Sequence, residues 1–198
     1  MIIAVTGNLG TGKSTVSKLL ASALGAVMLD TDHICRQQLQ RGQEGFSAFM
    51  RSFGKTFMQE DGDIDRQRLR QAVFADDQIK KALEDILHPI VKCQIEHQIR
   101  ACNASAVDLV IEVPLLYEVG WQDHFDLCVV VSIPPHLSVN RVQKRDSMIV
   151  VEIDKVLASQ MMLSQKLALA DNIIDNSGTF ASTFQQVSWL ARKISSRG

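Results

Sequence analysis

Residues 7–14 have the residue types and the spacing of a loop that binds phosphate. Their sequence, GNLGTGKS, fits the pattern G-x-x-x-x-G-K-S. In such a loop the glycines let backbone N–H groups point at phosphate oxygens, the lysine reaches the β- and γ-phosphates, and the serine hydroxyl ligates Mg²⁺. A chance glycine-rich turn is the alternative interpretation, and the flanking residues decide between the two.

An apolar strand is predicted before the loop and an amphipathic helix after it. Residues 2–6 are apolar and rich in β-branched side chains, while Val16, Leu19, Leu20 and Ala23 recur at the spacing of one helix face. The helix N-terminus adds a positive dipole end facing the phosphates. We therefore predict a site for ATP and Mg²⁺ that is formed by Gly10, Thr11, Gly12, Lys13, Ser14 and Thr15.

The composition is that of an ordinary globular protein. The 198 residues carry a net charge of −1, and 46% of them are hydrophobic. Such a balance lacks the basic field of a nucleic-acid-binding protein, so the expected partner is a small-molecule substrate and the expected assembly a monomer or weak homo-oligomer. The four cysteines form no C-x-x-C pair, and no apolar run approaches the length of a membrane span. We expect reduced thiols, no signal peptide, no membrane contact and a cytoplasmic location.

Strands alternate with helices along most of the chain, which predicts an α/β fold with a mainly parallel sheet. The further strands are predicted at residues 26–29, 107–113, 127–133 and 172–175. Residues 151–170 are predicted to be helical, and a final helix is predicted to carry Phe184, Val187, Ala191 and Ile194 on one face. The block from residue 37 to 104 is mostly helical and is far longer than a crossover between parallel strands needs. We therefore predict a core of residues 1–36 and 105–198 with an inserted helical domain, residues 37–104.

Acidic side chains fall at predicted strand ends, where parallel sheets bind ligands. Asp30 and Asp32 would face one way on an extended backbone, and one of them could accept the proton of an acceptor hydroxyl. The alternative is that Asp30 or Thr31 caps the next helix. Glu112 could hold Mg²⁺, directly or through water, or be a buried structural acid.

Basic side chains offer a second set of candidates. Arg141 and Arg145 share a helix face and could close over the triphosphate, although basic residues on helices are usually solvated. Arg66, Arg68 and Arg70 could hold an anionic second substrate, with the same alternative. His88 precedes Pro89, which is expected to kink or restart the helix, and a lone histidine is more often packed than ligating.

Motifs along nearly the whole chain resemble those of the dephospho-coenzyme A kinases. Residues 6–15 are similar to the family's TGGIGSGKST, and residues 30–32, DTD, to its DAD. The more specific elements are an H-P pair and a P-L-L-x-E motif in that order. The matching segments are DGDIDRQRL at 61–69, VF at 73–74, LEDILHP at 83–89, PLLYE at 114–118, RVQKRD at 141–146 and ADNIIDNSG at 170–178.

The resemblance implies a P-loop fold and ATP-dependent phosphorylation of the ribose 3′-hydroxyl of dephospho-coenzyme A, the last step of coenzyme A synthesis. It implies that the inserted domain binds the coenzyme and that residues 138–166 form a mobile lid. It assigns catalysis to Asp32 as base or orienting group, with Lys13 and Arg141. It also implies coenzyme contacts for Arg66 and His88 and a position beside the adenine of ATP for Asn176. Their own positions in the sequence make Arg145 a candidate for nucleotide binding and Ser14 and Glu112 candidates for metal ligation.

The sequence departs from the family pattern at Asn8, Val156 and Leu163. Asn8 replaces the loop's second glycine, and because asparagine tolerates a positive φ we expect the turn to persist. Val156 and Leu163 stand where arginine is common, so fewer lid cations are expected to weaken ATP binding. The retained Lys13 and Asp32 indicate an active variant.

Other functions make different predictions. A small-metabolite kinase would share the core and lid but not the inserted domain. A GTP-driven switch would carry N-K-x-D, yet no asparagine in the chain is followed by lysine. A nucleotide sensor without catalysis would bind ATP and produce no acceptor-dependent ADP.

Overall fold

The computed structural model describes residues 1–146 and 148–196, and the chain divides into two units. The first unit comprises Met1–Asp30 and Ile99–Gly198, and the second comprises Thr31–Gln98. Ser147, within the predicted lid range, and Arg197 and Gly198, at the end of the predicted core range, lie outside the described residues.

A parallel sheet lies at the centre of the first unit. Its strands within the described residues are β1 (Ile2–Thr6), β2 (Val27–Asp30), β3 (Leu109–Glu112), β4 (Leu127–Ser132) and β5 (Asn172–Asp175). They are arranged in the order β2-β3-β1-β4-β5, and every neighbouring pair is parallel. Apolar, β-branched runs that are buried on both faces produce this kind of sheet. The prediction of an α/β parallel fold is confirmed.

Helices connect the strands. In chain order they are α1 (Lys13–Leu24), α2 (Thr31–Gln38), α3 (Glu44–Phe53), α4 (Arg66–Ala75), α5 (Asp77–Ala104), α6 (Pro135–Asp146), α7 (Val150–Ala158), α8 (Leu163–Ala168) and α9 (Phe180–Ser195). Helices α1 and α9 pack together on the sheet through one buried cluster, which includes Ile3, Val5, Val16, Leu20, Val129, Val131, Val187 and Leu190. Gly25, with φ of 62°, ends α1, because glycine adopts a positive φ at little cost.

Residues 151–170 are mostly helical, as predicted, but they form two helices. Helix α7 ends at Ala158, and α8 begins only at Leu163. In the break, the N–H of Met161 donates to Glu118 Oε1 at 2.8 Å, and its carbonyl accepts Nδ2 of Asn8 at 3.1 Å. Tertiary contacts therefore take backbone groups that a continuous helix would bond internally.

Phe184 differs in burial from the residues that share its predicted helix face. Val187, Ala191 and Ile194 are buried, yet 51% of Phe184 is exposed. Thr183 lies on that face instead, and its hydroxyl donates to Oδ1 of Asn176 at 2.8 Å. Because this polar residue bonds to the turn that follows β5, it interrupts the apolar periodicity of α9.

An aromatic cluster forms the core of the second unit. Phe49 is fully buried, and its ring centroid lies 4.8 Å from that of Phe53 and 6.3 Å from that of Phe57. Gly62, with φ of 80°, lies between α3 and α4. Pro89 lies inside α5 without restarting the helix, so that part of the expectation is wrong.

The cysteines and the helices give no sign of disulfide bonds or membrane spans. None of the cysteines is in a disulfide among the described residues, and burial raises the pKa of Cys128 to about 11. No helix in the described part of the chain combines the length and the apolar character needed to cross a bilayer.

We expect Phe49→Ala to lower the free energy of unfolding by about 3–5 kcal/mol, because the substitution opens a cavity in the aromatic cluster. Phe74→Ala is the matched control, since Phe74 is 38% exposed. Urea unfolding followed by circular dichroism measures both variants. Equal losses in the two variants would show that the cluster does not form the core of this unit.

Candidate nucleotide-binding site

The loop between β1 and α1 has the backbone of a phosphate-binding loop. Gly7, Gly10 and Gly12 have positive φ angles of 148°, 78° and 87°. A Cβ at Gly10 would lie 2.8 Å from the carbonyl oxygen of Ser138, and one at Gly12 would lie 2.2 Å from Nδ2 of Asn176. Both conformation and space therefore require glycine at these positions.

Asn8 does not occupy the conformation that was expected of it. Among the described residues the only non-glycine with a positive φ is Ala106, so Asn8 needs no special tolerance. Its carbonyl oxygen accepts the hydroxyl of Thr11 at 2.9 Å and Nζ of Lys13 at 3.1 Å. The carbonyl of Asn8 thus holds the lysine ammonium against the loop.

Ser14 and Glu112 form an oxygen-rich pair beside the loop. Oγ of Ser14 donates to Oε1 of Glu112 at 2.8 Å, and Glu112 is buried. Glu112 ends β3, in register with Val5 of β1 and Asp30 of β2. Mg²⁺ prefers such a set, in which a hydroxyl and one or two carboxylates complement waters and phosphate oxygens. The residues therefore fit Mg²⁺, although the described residues contain no cluster of three or more acidic, histidine or cysteine ligands.

A cavity of 350 Å³ opens beside the loop and is lined by both predicted arginines. Its lining includes Gly10, Gly12, Thr15, Arg141, Arg145, Asn176 and Phe180. The contiguity of loop backbone and guanidinium groups suits a polyanionic ligand. The sequence-predicted residues of the first unit are therefore brought together around the loop.

Asn176 joins the cavity wall to the loop. Its Nδ2 donates to the carbonyl oxygen of Thr11 at 2.8 Å, and its own carbonyl accepts Nη2 of Arg141 at 2.9 Å. Oδ1 accepts the hydroxyl of Thr183. The bonds to Thr11 and Thr183 fix the side-chain amide. Because Arg141 bonds to the backbone carbonyl of Asn176, its position depends on the turn that follows β5.

Arg145 is held by its neighbour. Nε and Nη2 each donate to a carboxylate oxygen of Asp146 at 2.8 Å. This hydrogen bonding is the main reason that the pKa of Arg145 is raised, and Glu112 contributes a smaller attraction. The guanidinium therefore remains charged beside the cavity at every physiological pH.

The backbone changes direction between the acids at the end of β2. Asp30 is the last residue of the strand, whereas Asp32 lies in the first turn of α2 and is exposed. The expectation that an extended backbone points both side chains one way is therefore wrong. A helix that begins directly at Thr31 replaces the strand alternation.

Asp32, Arg66 and His88 belong to the second unit. Arg66 is the first residue of α4 and is exposed, and its Nη2 donates to the carbonyl oxygen of Arg36 at 3.1 Å. His88 is half-buried on α5, directly before Pro89. Arg68 and Arg70 are exposed on the same helix as Arg66, and Arg70 lies over the ring of Phe74.

The residues that support the loop from outside lie in the predicted lid range, 138–166, but contact with the loop was not predicted for them. Gln160, Met161 and Ser138 contact the loop at Leu9 or Asn8. Glu118 is part of the family's P-L-L-x-E motif, but its position in the sequence does not indicate which residue its side chain contacts. Such contacts join distant segments, so local periodicity carries no signal for them.

Together, a parallel sheet in this order and a glycine loop with a lysine, a hydroxyl–carboxylate pair and an arginine-lined cavity define a P-loop phosphotransferase. The sequence profile described as dephospho-CoA kinase matches residues 1–182. A dephospho-CoA kinase from Desulfotalea psychrophila is 37% identical over 187 residues, which is 94% of each chain.

Solved structures agree with these matches. A crystal structure of a Thermus thermophilus protein is similar with a TM-score of 0.82 and 28% identity, covering 100% of this chain and 98% of that one. Dephospho-CoA kinase from Campylobacter jejuni is similar with a TM-score of 0.71 and 27% identity, covering 99% and 98%. The chain belongs to the dephospho-CoA kinase family.

We expect Gly12→Ala to weaken binding of ADP more than tenfold, because the methyl group would displace the amide of Asn176. Gly25→Ala is the matched control. Gly25 also has a positive φ, of 62°, but an added Cβ would meet nothing within 4 Å. Titration calorimetry measures the affinities, and an equal loss in both variants would exclude the contact with Asn176 as the cause.

Proposed function

We propose that this protein transfers the γ-phosphoryl group of ATP to the ribose 3′-hydroxyl of dephospho-coenzyme A. The hydroxyl oxygen forms a bond to the γ-phosphorus while the bond from that phosphorus to the bridging oxygen of ADP breaks. The products are coenzyme A and ADP. The observation that carries the proposal is the phosphate loop with Lys13 at its centre, in a chain of this family.

The cationic residues stabilise the charge that develops during transfer. The Lys13 ammonium, now on the carbonyl of Asn8, moves to the β- and γ-phosphates when they occupy the loop. Arg141 and Arg145 line the adjoining cavity and face the transferring group. Gly10, Thr11, Gly12, Ser14 and Thr15 supply the backbone cradle, and Asn176 lies beside the nucleotide base.

Ser14 and Glu112 are the residues that would hold Mg²⁺. When bound, the ion neutralises charge on the phosphate oxygens. The hydroxyl–carboxylate contact of 2.8 Å supports this assignment, because it places two suitable oxygens next to the loop. Burial of Glu112 keeps its carboxylate in one orientation.

Asp32 accepts the proton of the acceptor hydroxyl. It lies two residues beyond Asp30, the strand end in register with Glu112, and it matches the second acid of the family's DAD motif. Its exposure is consistent with a group that meets a substrate.

The second unit, with Arg66 and His88, holds the coenzyme. Residues 37–104 were predicted as the inserted domain, and we propose the same role for that block. A long substrate carries a pyrophosphate and a pantetheine arm that small acceptors lack. Remote binding energy of this kind can orient the reacting hydroxyl. We also propose that residues 138–166 form a lid over ATP and that the enzyme works in the cytoplasm.

We expect Asp32→Asn to lower kcat by about 10²–10⁴-fold while KM for either substrate changes little, because a base acts only in the transition state. Steady-state kinetics with coupled ADP detection measures both constants. Asp30→Asn is the control, and a larger loss of kcat in that variant would move the role of base to Asp30.

We expect dephospho-coenzyme A to be phosphorylated with a kcat/KM far above that of adenosine or AMP, in a Mg²⁺-ATP assay across this panel of acceptors. Arg66→Ala should reduce this difference in kcat/KM, because it weakens the binding of dephospho-coenzyme A and not that of adenosine or AMP. Arg51→Ala removes another exposed arginine of the second unit and should leave the difference unchanged. Equal efficiency with adenosine would favour a small-metabolite kinase, and the absence of acceptor-dependent ADP would favour a sensor.

A further inference from the structure

A short non-helical stretch between α7 and α8 contacts the phosphate loop from outside. The N–H of Leu9 donates to Oε1 of Gln160 at 3.0 Å. Nδ2 of Asn8 donates to the carbonyl oxygen of Met161 at 3.1 Å. Because glycines give the rest of the loop wide backbone freedom, contacts of this kind restrict the path that it can take.

A buried ion pair holds this stretch in place. Nζ of Lys166 lies 2.8 Å from Oε1 of Glu118, and the lysine side chain is fully buried. The same Oε1 accepts the N–H of Met161 at 2.8 Å. Lys166 also donates to the carbonyl oxygen of Pro114, which accepts the hydroxyl of Thr6, the residue just before the loop. These contacts therefore connect the residue just before the loop, through the ion pair, to the stretch that contacts the loop.

The asparagine that Met161 holds by its side chain also receives the lysine of the loop on its backbone carbonyl. The carbonyl oxygen of Asn8 accepts Nζ of Lys13 at 3.1 Å and Oγ1 of Thr11 at 2.9 Å. The side chain of the same asparagine is held by Met161. A shift of Met161 would therefore move the peptide group on which the ammonium of Lys13 rests.

We propose that Glu118 and Lys166 are positioning residues for the phosphate loop and act on it through Met161 and Asn8. Neither residue is among the described residues that line the cavity beside the loop. They keep the loop in the shape that a triphosphate requires, so that binding does not have to order it.

The chemistry of the pair favours positioning over simple stabilisation. An apolar pair of similar volume generally stabilises a fold as well as a buried ion pair does. Here one carboxylate oxygen makes both contacts, while Oε2 of Glu118 is buried and has no hydrogen-bond partner among the described residues. What an apolar pair cannot supply is an acceptor for the N–H of Met161.

The test compares variants that differ in that acceptor. E118L/K166M and E118Q/K166M both remove the two charges, but only glutamine keeps an oxygen for Met161. We expect E118L/K166M to bind ADP about tenfold more weakly than the wild type, and E118Q/K166M to stay within about twofold. Titration calorimetry gives Kd, and differential scanning calorimetry gives Tm. The single variant K166M should have a lower Tm than the wild type, because the carboxylate of Glu118 is left buried and unpaired.

The outcomes separate the two proposals. The inference rests on the proposed function only in requiring that the loop binds nucleotide. A wild-type protein that does not bind ADP would overturn the proposed function. Wild-type affinity in E118L/K166M, or equal losses in the two double variants, would overturn the positioning role and leave the proposed function intact. An increase in the Kd for ADP that parallels the decrease in Tm across all variants would also overturn the positioning role.

Discussion

The architecture of the first unit depends on holding a glycine loop in one shape. Gly10 and Gly12 have positive φ and leave no room for a side chain, so these two positions add no side-chain contacts of their own. Neighbouring segments supply contacts from outside: Ser138 donates to the carbonyl of Leu9, and Asn176 donates to that of Thr11. Strands β4 and β5 and helix α6 are therefore as necessary to the loop as β1 and α1, because they present those side chains.

Charge balance around the loop follows from the same arrangement. Glu112 is buried beside a site proposed for a polyanion, which is unfavourable unless cations compensate. Lys13, Arg141 and Arg145 supply positive charge in the same unit, and Glu112 itself helps to raise the pKa of Arg145. A buried acid among these cations has a clear physical reason if it also contributes to a Mg²⁺ site.

The sequence was informative where local pattern decides the structure and uninformative where distant contacts do. The strand at residues 172–175 and the glycine loop before a helix follow from short-range chemistry, and the structure confirms both. The break between α7 and α8 could not be predicted, because it depends on Glu118 and Asn8, far away in the chain. The expectation that Asp30 and Asp32 face one way failed, because the same polar sequence is compatible with an extended backbone and with a helix that begins after Asp30.

Asn8 illustrates how a departure from the family pattern can acquire a structural role. The family's glycine at this position suggests a need for positive φ, but here the residue does not adopt it. A side chain is therefore tolerated, and it restricts the unfolded chain more than glycine would. It also reaches the carbonyl of Met161, which a glycine cannot do. The asparagine thus replaces conformational freedom with a tertiary contact, at a carbonyl that also receives the ammonium of Lys13.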